Sequence, residues 1–232
     1  MRRRPDCSLF PFVPVRWLVL GFVFSFLGVC SAQEISLKFQ SEFWYGDIDY
    51  DPPESPTRDG DISLLSQRLD IGFPGKGDSS TALGLRVALG IEEYAQGNHT
   101  DIQQYRFELR RQWHTSSRSN RGRPFHHIGL GFNFWNNDYS SSDSSNEEFG
   151  PTILLGAQTE PLGWDLSAGF DVVWQPVDLG DAEEFEFYEL DASLSRDFRR
   201  FDIELGYRMK NYYESRDDYF YHGPFVRGGF AF

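Results

Sequence analysis

Cysteine is nearly absent from this chain. Of 232 residues two are cysteine and two methionine, and both cysteines, Cys7 and Cys30, lie near the start. Residues 33–232 therefore hold no disulfide and no thiol ligand, and packing and backbone pairing must carry their stability. Long hydrophobic runs are missing too. After Gln33 no stretch of 18 apolar residues occurs, which excludes a helical membrane span there. Sustained helical periodicity is also lacking. Basic residues are scarce: 22 Lys and Arg face 35 Asp and Glu, a net charge of −13. Residues 1–32 carry Arg2, Arg3, Arg4 and Arg16 against Asp6, so residues 33–232 stand near −16. That argues against a nucleic-acid partner, because phosphate binding needs a basic face.

Aromatic rings are plentiful. They make up 17% of the chain, 22 of them Phe, yet mean hydropathy is −0.48. This pairing suits a barrel that shows apolar groups to lipid at every second position and turns polar ones inward. The chain reads as ten stretches of period-two alternation. In the first, Ile35, Leu37, Phe39, Phe43 and Tyr45 oppose Glu34, Ser36, Lys38, Gln40 and Glu42. The second, near Ile62 to Phe73, sets Leu69, Ile71 and Phe73 against Arg68, Asp70 and Gly72. The third is the cleanest, with Leu83, Leu85, Val87, Leu89 and Ile91 against Gly84, Arg86, Ala88, Gly90 and Glu92. The fourth opposes Tyr105, Phe107, Leu109 and Trp113 to Arg106, Glu108, Arg110 and Gln112, with Arg111 alone on the apolar face and placed to snorkel.

The fifth sets Ile128, Leu130, Phe132 and Phe134 against Gly129, Gly131, Asn133 and Trp135. The sixth, around Thr152 to Thr159, is short. The seventh opposes Trp164, Leu166, Ala168, Phe170, Val172 and Trp174 to Asp165, Ser167, Gly169 and Asp171. The eighth opposes Tyr188, Leu190, Ala192 and Leu194 to Glu189, Asp191 and Ser193. The ninth opposes Phe201, Ile203, Leu205, Tyr207 and Met209 to Asp202, Glu204, Gly206, Arg208 and Lys210. The tenth runs from Pro224 to Phe232, with Val226, Gly228, Phe230 and Phe232 on one face and Phe225, Arg227, Gly229 and Ala231 on the other.

That ending resembles the last strand of bacterial outer-membrane β-barrels, where a terminal aromatic residue is read by the assembly machinery. The resemblance implies that Phe230 and Phe232 form an assembly signal. The start agrees with export. Arg2, Arg3 and Arg4 precede an apolar run of thirteen residues, Trp17 to Val29, then Cys30-Ser31-Ala32. This predicts a Sec-type signal peptide, 1–32, cleaved after Ala32, and one barrel domain over 33–232. An uncleaved anchor is an alternative. Leu27-Gly28-Val29-Cys30 faintly resembles a lipoprotein box, with Val29 a poor fit.

The fold expected is all-β, an antiparallel up-and-down transmembrane barrel of about ten strands, with eight or twelve open. Breaks 46–61, 95–101, 136–149, 176–184 and 211–218 read as outer loops, mostly longer and acidic. Phe43, Tyr45, Trp113, Phe134, Trp164, Trp174, Tyr188 and Phe201 fall near strand ends, where rings sit at headgroup depth. A soluble β-sandwich or a lipocalin-like barrel would show similar alternation; the signal peptide and Phe232 favour the membrane.

With apolar faces on lipid, the lumen receives Arg68, Asp70, Arg86, Glu92, Arg106, Glu108, Arg110, Asp165, Asp171, Glu189, Asp191, Asp202, Glu204, Arg208, Lys210 and Arg227. Such charges demand partners, so the expectation is a filled lumen with cross-strand ion pairs. A narrow solute or ion channel is the alternative; a general porin needs about 16 strands. A rim-site hydrolase acting on lipid or peptide is a third reading. It would need a His beside a carboxylate near the outer rim, and His99 and His222 are the candidates. Neither the paired-aspartate and Asp-His pattern of omptins nor the His-x-Ser of lipid A deacylases is present. No cluster has transition-metal spacing, and no cofactor is expected. The acidic outer loops offer oxygens to divalent cations such as Ca²⁺, a solvated acidic rim being the plainer reading. The partners expected are outer-membrane lipid and the barrel assembly machinery.

Overall fold

The computed structural model describes residues 35–51, 58–75, 77–94, 98–114, 124–139, 145–159, 163–180, 185–198, 200–214 and 217–232. The expected signal peptide, 1–32, lies outside them, as do Glu54 and Asp143 of the acidic breaks. Ten strands follow one another: β1 Ser36–Asp51, β2 Arg58–Pro74, β3 Ser79–Tyr94, β4 His99–His114, β5 Phe125–Tyr139, β6 Ser145–Gln158, β7 Ser167–Gln175, β8 Phe185–Phe198, β9 Phe201–Glu214 and β10 Asp217–Ala231. Each pairs antiparallel with its chain neighbours, and β10 closes onto β1. Closure leaves no free edge, the condition for a sheet in lipid.

Alternation dictates the two surfaces. On β3, Ala82, Arg86, Ala88 and Glu92 are buried, while Leu89 and Ile91 between them are exposed. The same phase runs through β4, where Phe107 and Leu109 are exposed and Arg106, Glu108 and Arg110 buried. Registers keep the faces aligned across strands: Leu85 lies opposite Leu69 and Phe107, and Arg86 opposite Arg68 and Arg106. Arg111, on the outer face, donates to Thr81 Oγ1 at 2.8 Å and Ser79 Oγ at 2.6 Å.

The strands are longer than alternation alone suggests, and the breaks shorter. Asp47, Asp49 and Asp61 sit on β1 and β2, Asp138 on β5, and Glu147 and Glu148 on β6, not in loops. β6 starts at Ser145, inside the serine-rich stretch expected to be a loop, and passes through Pro151. β7 is the reverse case. It spans 9 residues, and Trp164 and Asp165, expected on it, form a turn before it, Gly163–Asp165, both with positive φ. Asp165 is thus corrected from an inward strand position to a turn.

Closure between β1 and β10 has one irregularity. Pairing runs to Trp44 opposite Phe225 and resumes at Asp47 opposite His222. Pro224, which lacks an N–H, falls in the gap. There Gly223 packs against the Tyr45 carbonyl and the Gly46 Cα, a closeness that no Cβ permits. The Trp44 indole donates to the Gly223 carbonyl at 3.2 Å. Beyond the last strand residue, Phe232 N donates to Leu37 O at 2.8 Å.

The two faces make opposite demands on charge. Leu85→Arg, placed among Leu69 and Phe107 on the outer face, should cost roughly 2–4 kcal/mol near the midplane. Chemical unfolding in lipid vesicles measures this. An unchanged midpoint for Leu85→Arg would invert the inside–outside assignment.

Candidate functional site: a lumen filled in two layers

Inward side chains sort by depth. Near the end where β1 begins and β10 finishes, here the proximal end, they are charged. Glu42 on β1 is the hub. Its carboxylate accepts from Arg208 Nη1 at 2.7 Å, Arg86 Nη2 at 2.6 Å, Arg227 Nη2 at 2.5 Å and Ser66 Oγ at 3.2 Å. Five strands, β1, β2, β3, β9 and β10, thereby meet at one side chain. Glu189 receives two bonds from Arg106, at 3.2 and 3.1 Å, and one from Arg86 at 3.2 Å. Asp191 takes Arg208 Nε and Nη2, both at 2.7 Å. Arg227 Nη1 reaches both oxygens of Glu204, at 3.1 and 3.0 Å.

A second cluster joins β2 and β4. Arg68 bonds Glu108 at 2.5 Å and Asp70 at 3.1 Å, and Arg110 bonds Asp70 at 2.5 Å. Nearer the proximal rim, Lys38 pairs with Asp202 at 3.1 Å, and His127 Nε2 lies 3.4 Å from Asp171. Glu92 stands apart, toward the distal end, and accepts from the Tyr94 hydroxyl at 2.8 Å. Arg106 and Arg208 are each 1% exposed. Charges so deep persist only when paired and hydrogen-bonded, and the forked guanidinium suits several carboxylates at once. A cavity of about 10 Å³ between Gln40, Glu42, Ser66, Arg68, Arg86 and Arg227 has room for one water at most.

Toward the distal end the filling changes to rings and aliphatics. Trp44, Ile48, Ile62, Leu64, Ile102, Trp135, Phe187, Tyr212 and Tyr221 form one buried cluster. Trp135 packs on Phe187 and Tyr212 with ring centroids 6.5 and 6.4 Å apart. Lys210 ends inside this cluster, its Nζ 3.3 Å from the Trp135 ring centre and 5.2 Å from that of Phe187, a cation–π arrangement. Arg208, one inward position nearer the proximal end, lies 5.3 Å from the Trp44 ring and 5.2 Å from that of Phe225. The rings thus cover the charged layer from above.

Sequence reasoning misses two parts of this arrangement. Glu42 sits on the polar face of the first stretch but carries no mark of its sharing among three arginines. The apolar distal layer is missed because a polar lumen is the expectation. Its signal is aromatic doubling: Phe43-Trp44-Tyr45, Phe134-Trp135, Phe187-Tyr188 and Tyr212-Tyr213 put rings on both faces of a strand.

Leu65, Leu89, Phe107, Leu109, Leu130, Leu155, Leu205 and Val226, from seven different strands, are all exposed, Leu130 to 67%. A soluble monomer rarely exposes a contiguous apolar patch beyond a few hundred Å²; here the apolar face encircles a charged interior. A closed antiparallel barrel with an apolar outer face and polar side chains inside is the build of a transmembrane β-barrel. No protein-family model matches the chain, and no curated protein matches it. Among solved structures it is similar to the translocator domain of the autotransporter NalP from Neisseria meningitidis, with 12% identity over 93% of this chain and 94% of that one and a TM-score of 0.45. It is also similar to the outer membrane protein OprG from Pseudomonas aeruginosa, with 12% identity, 87% and 98% coverage and a TM-score of 0.38. Ail, the attachment invasion locus protein of Yersinia pestis, is a third, at 8% identity, 84% and 98% coverage and a TM-score of 0.37.

On the outer face, His222 has its Nδ1 2.7 Å from the Tyr207 hydroxyl and its Nε2 3.4 Å from Asp49. His99 opens β4, opposite Glu93. Among the described residues no group of three or more His, Cys, Asp and Glu side chains could hold a metal ion.

Proposed function

We propose that this chain is an outer-membrane barrel without enzymatic activity, with a structural or surface-interaction role and a lumen that conducts no solute. The observation that carries the reading is the pair of stacked fillings, ionic and aromatic, across one bore. A small barrel that served as a conduit would need a continuous polar path, and the cluster around Trp135 and Phe187 interrupts it. On this reading residues 1–32 are removed during export through the Sec route. The assembly machinery reads Phe230 and Phe232, and the proximal end faces the periplasm. The acidic residues on the distal parts of the strands then face the outside, where divalent cations are candidate partners.

Reconstituted in a planar bilayer, the protein should give no steady conductance. It should also migrate as a compact species on a gel until boiled, as closed barrels resist unfolding. A reproducible ion-selective current would move the narrow channel ahead of the structural role. One observation favours a hydrolase at the rim, namely His222 between Tyr207 and Asp49. The ring lies on the outer wall beside Tyr207 and Asp49, with its Nδ1 held by the Tyr207 hydroxyl, and no serine or second carboxylate accompanies it among the contacts of the described residues. Fatty-acid release from the surrounding lipid by the wild type, lost in His222→Ala, would reverse that ranking.

A further inference from the structure

The barrel wall is not uniform. β6 pairs with β5 along its whole length, from Gln158 to Ser145. With β7 it pairs only from Ile153 opposite Trp174 to Gln158 opposite Gly169. Above that point β7 has ended, and residues 176–180 run beside β6 as a strap that is not a strand. Pro176 at its start removes a backbone donor. Two contacts fasten the strap to β6. Leu179 N donates to Phe149 O at 2.8 Å, and Phe149 N donates to the Asp178 carboxylate at 2.8 Å. The second oxygen of Asp178 accepts from Gly180 N at 2.9 Å. A side chain thus replaces the backbone carbonyl that a strand would supply. Val177 and Leu179 point outward, 48% and 56% exposed, so the strap meets lipid.

Behind the strap a line of buried, inward-facing amides runs across the wall from β4 through β5 to the end of β7. Gln104 Nε2 donates to Asn133 Oδ1 at 2.8 Å, and Asn133 Nδ2 donates to Gln175 Oε1 at 3.1 Å. The line stops at Gln175 Nε2, a fully buried donor with no hydrogen-bond partner among the described residues. Thr152 Oγ1, 1% exposed on β6, is in the same condition. Gly150 stands between Gln175 Nε2 and the Val177 carbonyl, and a Cβ there would collide with both. A buried, unpaired polar group is costly enough that it usually has a partner.

We propose that this seam is a lipid site, at which the strap parts from β6 and the ester carbonyl of a membrane lipid acyl chain accepts a hydrogen bond from Gln175 Nε2. The inference rests on the membrane reading of the barrel. The chemistry selects the head. Gln175 offers a donor, so the ligand atom is an acceptor. Glu148, buried on the inward face of β6 two residues from Gly150, disfavours an anionic group and leaves a neutral ester carbonyl. The acyl chain stays outside, against Val177, Leu179 and Phe149.

The test compares a diester phosphatidylethanolamine with its diether analogue, which lacks only the carbonyls. Both compete for the purified full chain in detergent, and retained lipid is read by native mass spectrometry. The diester should be preferred about fivefold, the equivalent of one neutral hydrogen bond. Gln175→Met should abolish the preference. A second variant guards against misfolding: Phe149→Cys with Leu179→Cys, in a background of Cys7→Ser and Cys30→Ser, ties the strap to β6. The oxidised form should lose the preference and the reduced form regain it. Equal retention of both lipids by the wild type would overturn the site and leave Gln175 to a buried water. So would a preference that survives the locked strap. Neither outcome bears on whether the lumen conducts, which the bilayer recording decides separately.

Discussion

Glu42→Ala should destabilise the barrel by about 3–5 kcal/mol, the usual result of stripping one partner from a buried ionic network. The carboxylate is 4% exposed and accepts from Arg86, Arg208 and Arg227. Without it, three guanidinium groups face one another with less compensating charge, in a bore too narrow to admit much water. Arg208 keeps Asp191, and Arg227 keeps Glu204. Arg86 keeps only its bond to Glu189, already shared with Arg106. Glu42→Gln should recover little, because the amide preserves the shape and the Ser66 contact but not the charge. Replacing Glu42 and Arg208 together with apolar residues of similar size restores the charge balance but takes both short bonds from Asp191, so it should recover only part of the loss. Equilibrium unfolding in lipid vesicles separates these cases. A Glu42→Ala midpoint equal to wild type would mean that the hub is solvated and the layer is not closed.

How much of this is legible in the chain follows from what alternation encodes. Period two reveals which residues share a face, and on β3, β4 and β9 the buried charged side chains, from Arg86 to Arg208, follow that alternation. Alternation does not encode depth. Glu42 and Trp44 are successive inward residues of one strand, yet one belongs to the ionic layer and the other to the aromatic one. Strand ends are also poorly marked, because beyond the lipid both faces of a strand turn polar. Asp47 and Asp49 on β1 therefore read as loop, as do the serines that open β6. The shortness of β7 hides for the opposite reason. Trp164 and Asp165 continue the apolar–polar rhythm although their backbone has turned left-handed. The arginine–carboxylate partners depend on side-chain reach across several strands, which no spacing in the sequence records.

Trp135→Ala should cost a further 3–5 kcal/mol or so, as large-to-small changes in packed cores do, yet it should not by itself open a current. The indole is 2% exposed, donates to Asn137 Oδ1 at 2.5 Å, and roofs the Lys210 ammonium. Its loss leaves a void in the distal layer and removes the ring nearest to that charge. The ionic layer beneath stays intact, because the bonds of Glu42, Glu189 and Asp191 involve no atom of Trp135. The two fillings act in series along one axis, so conduction needs both breached. Single-channel recording should therefore stay silent for Trp135→Ala and for Glu42→Ala, and show events only when the two are combined in protein that still folds. Steady current from Trp135→Ala alone would show that the ionic layer is permeable and that the aromatic cluster is the sole barrier. Silence of the folded double variant would mean that neighbouring side chains collapse into the space, as the density of packing around Phe187 and Tyr212 would then require.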